Sequence, residues 1–350
     1  MKTKILLIVV VLLAVNFSFA QGCEDDIAPT GTKSGVPTTS SITFFGYIQG
    51  QYSSEFLQPE TTSSFHFKRA RFGVRGRINR SFSYYASLEA SDFVSSDGNP
   101  YLLDAFITWD KHEWAKISMG SFKQPFSRDV ATACHSLTTI DRSIVADQLV
   151  APQRDYGLML LGGSSKTKFR YSLALMNGTG LGTKDTNKKK DVIGRATYQL
   201  LNFLNVGASF RYGYPTNEDD DRTSYGFDAL ISYKKLSVQG EYIYDEGAYN
   251  LGADGGCGAT PVILGDKRQG AYVMAAYKVS DKLQPVLKYE YFDADTDLKV
   301  SPISGYQEMF TVGVNYFFHK KVRLQVNYQI KEVDNNSDHD ALLAQVQVRF

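Results

Sequence analysis

The stretch Phe65–Ile78 reads FHFKRARFGVRGRI, and from Arg69 onward it alternates without a break. Arg69, Arg71, Gly73, Arg75 and Arg77 fall on one side, and Ala70, Phe72, Val74, Gly76 and Ile78 on the other. Successive side chains of a strand point to opposite faces, so this is one strand with an arginine ladder on one face and an apolar wall on the other. A water-soluble sheet would also accept this pattern, with the arginines in solvent and the apolar face in a core. The rest of the chain argues against that: the pattern recurs many times, ends in another such strand, and follows an export signal.

Composition fits a β-rich chain. Tyr and Phe number 22 each against 2 Trp, Gly is plentiful at 29 and Pro scarce at 10, and the mean hydropathy of −0.25 is too polar for a bundle of membrane helices. Residues 1–20 read as a cleaved secretory signal peptide: Lys2 and Lys4, then the apolar run Ile5–Val15, then Ser18-Phe19-Ala20 as a small-x-small site. Cleavage removes two of the 38 basic residues. The remaining 36 face 37 acidic ones, a net of −1, which offers nothing to nucleic acid. No later stretch approaches 18 consecutive apolar residues, so no membrane helix follows. Residues 21–40 are polar and rich in Gly, Pro, Ser and Thr, and read as a disordered periplasmic lead-in. Cys23 lies in it, after a poor lipobox, so lipidation and a plain unpaired thiol both stay open. Cys134 and Cys257 fall in outer loops on the same side of the membrane, where a disulfide is conceivable.

Residues 41–350 hold sixteen candidate strands. They are Ile42–Ser53, the arginine strand, Phe82–Phe93, Tyr101–Asp110, Ala115–Gln124, Arg154–Gly162, Lys168–Asn177, Val192–Gln199, Leu204–Gly213, Ser224–Tyr233, Leu236–Asp245, Gly270–Val279, Leu283–Asp293, Glu308–Phe318, Val322–Lys331 and Ala341–Phe350. Most are about ten residues, the length a tilted strand needs to cross a bilayer. Connections after even-numbered strands are short, such as Asn79-Arg80 and Lys234-Lys235, and most of those after odd-numbered strands are longer. The expected fold is therefore all-β: a 16-stranded antiparallel transmembrane β-barrel with short periplasmic turns, long outer loops and both termini on the periplasmic side. Tyr84, Tyr242, Tyr244, Tyr289 and Tyr291 sit near strand ends, where aromatic girdles belong.

Energetics set the register. A charge on the lipid face near midplane costs about 2–4 kcal/mol. Arg69, Arg71, Arg75 and Arg77 are therefore expected to face the lumen, with Glu89, Arg195, Arg211, Asp228, Glu241, Lys288 and Glu290. The 30-residue segment Lys123–Pro152, after the fifth strand, is too long and too apolar to be slack. It is expected to fold inward and narrow the barrel, with a short helix over Asp129–Ala133 under an acidic cap. Its acids Asp129, Asp141 and Asp147 would face the basic wall of the second strand and set up a transverse field. The other reading of that loop is a cap over the outer mouth.

Several segments resemble one family. Phe44-Phe45-Gly46-Tyr47-Ile48, Phe67–Gly76, Gly120–Phe126, Pro152–Leu158 and Tyr171–Gly178 are similar to the corresponding stretches of phosphate-selective porins O and P, above all those of Bacteroidetes-type bacteria. The terminal Phe350 resembles the closing aromatic of outer-membrane barrels. The resemblance implies a homotrimeric channel in the Gram-negative outer membrane, embedded in lipid and passing small anionic or polar solutes, with no cofactor. It carries over to the lumen arginines Arg69, Arg71, Arg75 and Arg77, and, less directly, to Lys123 and Arg128 in the constriction loop. The slightly acidic mature chain departs from a strongly anion-collecting protein, and Asp219-Asp220-Asp221 offsets Lys188-Lys189-Lys190 at the mouth.

Two other readings compete with a passive, anion-leaning porin. An outer-membrane enzyme would need paired groups, but no G-x-S-x-G occurs, and of the five histidines only His135, beside Cys134, is placed suggestively. A barrel plugged by its own loops would serve a structural or adhesive role and predicts no conductance.

Overall fold

The computed structural model describes residues 40–56, 60–91, 100–249, 264–298, 305–333 and 339–350. Residues 1–39, which include the expected signal peptide, most of the lead-in and Cys23, lie outside that set, as does Cys257.

The chain forms sixteen strands: β1 (Ser41–Phe56), β2 (Thr61–Arg77), β3 (Phe82–Glu89), β4 (Tyr101–His112), β5 (Ala115–Lys123), β6 (Arg154–Gly162), β7 (Phe169–Met176), β8 (Asp191–Leu201), β9 (Leu204–Gly213), β10 (Arg222–Tyr233), β11 (Leu236–Gly247), β12 (Lys267–Tyr277), β13 (Leu283–Asp293), β14 (Gln307–His319), β15 (Val322–Val333) and β16 (His339–Arg349). Each pairs antiparallel with its neighbour in the chain, and β1 pairs with β16 from Tyr47↔Arg349 to Phe56↔Asp340, which closes the barrel. Closure removes the exposed edges an open sheet would present. Sequence and structure agree on all sixteen elements. Most strands extend past their expected bounds into polar residues, as β1 does to Phe56 and β12 from Lys267. The backbone ladder needs only N–H and C=O groups, so it outlasts the apolar alternation. The third strand ends earlier than expected, at Glu89, whose carboxylate takes the amides of Ala70 and Ser91 and draws the chain out of the ladder.

The register is the one charge burial demands. Phe44, Phe72, Ile107, Met119, Leu158, Leu173, Phe227, Val273, Leu287 and Val346 stand outward and exposed. Such a continuous apolar belt suits hydrocarbon and would aggregate in water. Their neighbours in sequence turn inward. Glycine serves this packing where a ring or a strand comes close: a Cβ on Gly76 would lie 1.9 Å from the Ser41 carbonyl oxygen, whereas one on Gly50 would meet nothing.

Between β5 and β6 the chain turns back into the barrel. This segment carries two short helices, α1 (Arg128–Ala131) and α2 (Ile144–Leu149), with a single 3-10 turn at Cys134–Ser136 between them. Val130, Val145, Ala146 and Leu149 of this loop pack with Phe106, Phe122, Met159, Ile193, Ile243, Met274 and Phe292 of the walls. The core of the molecule is thus inside the barrel, between loop and wall.

Candidate functional site

The inner wall and the loop between β5 and β6 form one polar assembly. A helix leaves its first N–H groups and last C=O groups without partners in the helix. Here the wall supplies them. Glu241 of β11 accepts from the amides of Arg128 (2.9 Å) and Asp129 (3.2 Å) and from the Ser127 hydroxyl (2.9 Å) at the start of α1. Ser127 caps the same turn, accepting from the Val130 amide at 3.2 Å, and holds a left-handed φ of 69° to do so. Glu290 of β13 accepts from the Ile144 amide at 2.9 Å at the start of α2, and Lys288 pairs with that carboxylate at 2.9 Å. At the end of α2, Arg222 donates to the Leu149 (2.6 Å) and Ala151 (2.8 Å) carbonyls, and Arg211 reaches Ala151 at 3.2 Å. Carboxylates at both N-termini and guanidiniums at the C-terminus also complement the helix dipoles.

Between the helices the loop runs beside β14–β16 and β1, where amide and guanidinium side chains take its carbonyls. Arg323 donates to Leu137 O (2.8 Å) and His135 O (3.0 Å), Gln347 to His135 O (3.1 Å), and Asn315 to Thr138 O (2.9 Å). Asn327 in return accepts from the Ile140 amide at 2.8 Å.

The residues expected to line the lumen take distinct places. Arg69 is buried and donates to the Gln49 amide oxygen at 2.8 Å. Arg71 pairs with Glu89 at 2.6 Å and reaches the Cys134 sulfur at 3.3 Å. Arg75 lies over the Phe45 ring, 5.4 Å from its centroid. Arg77 holds Asp110 through two bonds of 2.6 and 2.7 Å at the short-turn end. Arg195 and Arg128, one from the wall and one from the loop, share Asp228 at 2.6 Å each. Arg211 is buried behind the loop, paired with Asp191 at 2.5 Å. Lys123 donates to Val130 O (2.9 Å) and Thr132 O (3.3 Å).

The three loop acids do not confront the arginine ladder together. Asp141 alone reaches β2, on Lys68 at 2.9 Å. Burial opposes its ionisation, yet the Lys68 ammonium more than offsets this and holds the carboxyl at about 2. Asp129 turns into the loop to accept from the Ser143 amide (2.7 Å) and hydroxyl (3.1 Å), and Asp147 accepts from Gln153 at 2.6 Å, its carboxyl raised by burial. Buried loop amides need acceptors more than the wall needs counter-charges. The expected helix over Asp129–Ala133 is α1, one residue earlier and capped by Ser127 and the wall's Glu241 rather than by an aspartate. His135 is half-buried against Tyr47, ring centroids 5.2 Å apart, and loss of hydration followed by the Arg349 charge depresses it to about 3. Among the described residues no group of three His, Cys, Asp or Glu side chains is placed to hold a metal ion.

Sequence reasoning placed Asp228, Glu241, Lys288 and Glu290 inward without assigning them the loop. It missed Arg222, Arg268 and Asp245, a buried cluster in which Asp245 serves both arginines. The signal was present: Arg222, Ser224, Asp228 and, on the next strand, Glu241 and Asp245 are in phase with one another.

A closed sixteen-stranded antiparallel barrel with an apolar belt and an inward loop is the architecture of an outer-membrane porin. The family of phosphate-selective porins O and P matches over residues 48–226 and 209–350, and the chain belongs to it. Solved structures share the fold at low identity. An anion-selective porin from Comamonas acidovorans superposes with a TM-score of 0.70 at 13% identity, covering 89% of this chain and 100% of that one. OmpF of Salmonella typhi, in complex with daunomycin, gives 0.68 at 13%, covering 88% and 97%. OmpT of Vibrio cholerae, in its trimer form, gives 0.63 at 13%, covering 89% and 100%. No curated protein matches the sequence.

Proposed function

We propose that the chain is a passive, non-enzymatic diffusion channel that favours small anions of the phosphate type, assembled as a homotrimer after loss of residues 1–20. In this reading residues 21–40 are a lead-in and 41–350 the barrel. The loop between β5 and β6 narrows the lumen, and Arg75, Arg77, Arg128 and Arg195 present guanidiniums to passing solutes. The observation that carries the reading is Arg323: its hydrogen bonds go to the neutral oxygens of Leu137, His135 and Gln347, so its charge bears on the loop with no bonded carboxylate among the described residues. Asp228 adds to this by serving two guanidiniums with one carboxylate. The anion-selective porin that shares the fold agrees with it.

A second reading, a plugged structural barrel, draws on the apolar cluster that loop and wall build across the interior. Planar-bilayer recording under a potassium chloride gradient separates the two. The expected result is a conducting channel whose reversal potential favours chloride, with the preference reduced in Arg75→Ala and Arg323→Gln. A cation-leaning channel discards the anion preference. Folded, heat-modifiable protein without conductance puts the plugged barrel in its place.

A further inference from the structure

Three rings interrupt the inner wall at one level. Phe45 of β1 and Tyr85 of β3 lie 4.9 Å apart between centroids, and Tyr85 stacks on Phe106 of β4 at 5.2 Å and 10°. Arg75 is register-opposed to Tyr85, and Tyr85 to Phe106, so the guanidinium and the rings share a height in the barrel. The nearby inward positions on these strands carry small polar groups, Ser83, Ser87 and Thr108. The Phe45 ring lies across Gly73, where a Cβ would come within 2.4 Å of its tip, so bare backbone holds the ring flat against the wall.

Packing against the loop accounts for only part of this row. Phe106 is buried in the core cluster and Tyr85 packs at its margin, but Phe45 is outside it. Phe45, Tyr85 and Arg75 are all partly exposed on the inner face. Apolar ring surface turned to water is unfavourable unless something covers it. An inorganic anion covers none of it. A flat organic anion would lay its ring on the strip and its carboxylate on the guanidinium beside it.

We propose that the strip formed by Phe45, Tyr85 and Phe106 beside Arg75 is a binding site for aromatic carboxylates on the inner wall. The proposal rests on the channel reading above and names the solutes the channel favours among anions. Benzoate is the probe, with acetate and cyclohexanecarboxylate as controls: acetate lacks the ring, and cyclohexanecarboxylate has a ring without a flat π-face. Added during recordings in potassium chloride, benzoate is expected to reduce chloride current saturably, about tenfold more tightly than either control. Phe45→Leu with Tyr85→Leu, which keeps apolar bulk in both places, is expected to bring benzoate down to the level of acetate in the same channels. Equal effects of benzoate and acetate on the wild type, or unchanged benzoate block in the double variant, overturn the site. Reversal potentials taken before benzoate is added report separately on the anion preference. If the protein does not conduct, saturation-transfer NMR on the detergent-solubilised barrel decides. Ring-proton transfer from benzoate that the double variant loses supports the site, and its absence in the wild type refutes it.

Discussion

Glu241→Ala tests how the loop between β5 and β6 is held. The wild-type carboxylate accepts from two backbone amides and one hydroxyl at the head of α1. Hydrogen bonds to a charged group contribute about 1.5–3 kcal/mol each, and a buried donor left without a partner costs about 1–3 kcal/mol. The three are not additive, and Glu241 sits register-opposed to Asp228, so relief of like-charge repulsion returns part of the loss. A net loss of about 3 kcal/mol makes local opening of α1 about 100-fold more frequent. Cys134 reports that opening. It is buried three residues beyond α1, with Arg142 bonded both to its sulfur (3.4 Å) and to the carbonyls of Asp129 and Thr132. In a Cys23→Ser, Cys257→Ser background, methanethiosulfonate labelling of Cys134 in the folded barrel is expected to accelerate about 100-fold in Glu241→Ala. In Glu241→Gln, which keeps one acceptor oxygen, about tenfold is expected. Labelling within twofold of wild type in Glu241→Ala would refute the reasoning and show that the apolar contacts of Val130 and Phe126 hold the loop by themselves.

Further outcomes follow from the glycines and the loop's titrating groups. Gly76→Ala is expected to lower the temperature at which the folded, heat-modifiable band converts, because its Cβ would collide with the Ser41 carbonyl, while Gly50→Ala, with open space, leaves it unchanged. His135, depressed to about 3, is neutral throughout the physiological range, so His135→Gln should leave the pH dependence of chloride selectivity between about pH 5 and 8 unchanged; a step near 6.5 that the variant removes would contradict this. The Asp141 carboxyl is held at about 2, below its ordinary value, so what its ionised form contributes to the folded state is present above about pH 4 and lost as pH falls toward 2. Lys68→Met should move acid release of the loop, read by Cys134 labelling, to higher pH.

The barrel was legible because its evidence is repeated. Period-two alternation occurs sixteen times, turn lengths alternate with it, and one slipped register would put several charges into lipid. Strand ends were less legible, since a backbone ladder continues through polar residues such as Lys267 and Arg268 that carry no apolar signal. The site was legible only in part. That Arg69 and Glu241 face inward follows from phase alone, but what each one touches depends on where a 30-residue loop settles. Asp129, Asp141 and Asp147 look alike in sequence. Contacts between residues sixty or more positions apart, such as Arg211 with Ala151 and Ile144 with Glu290, fix the loop, and no local pattern encodes those. Arg211 illustrates the difference: its phase points it inward, and the loop then covers it.

The anchoring of the loop also has a chronology. The wall groups that hold both helix N-termini (Glu241, Glu290) and the end of α2 (Arg211, Arg222) come from β9 onward, Lys123 of β5 alone serving the end of α1 from an earlier strand, and the amides and guanidinium that grip residues 135–140 come from β14 to β16. The loop precedes all of them but Lys123 in the chain. When β1 to β5 have formed, Lys123 is in place for the end of α1, but neither helix has its wall partner at the N-terminus, and short helices so left do not persist in water. The loop's polar anchors are therefore complete only with the strands that close the barrel, and a chain cut short after β8 would lack the wall partner of both helix N-termini.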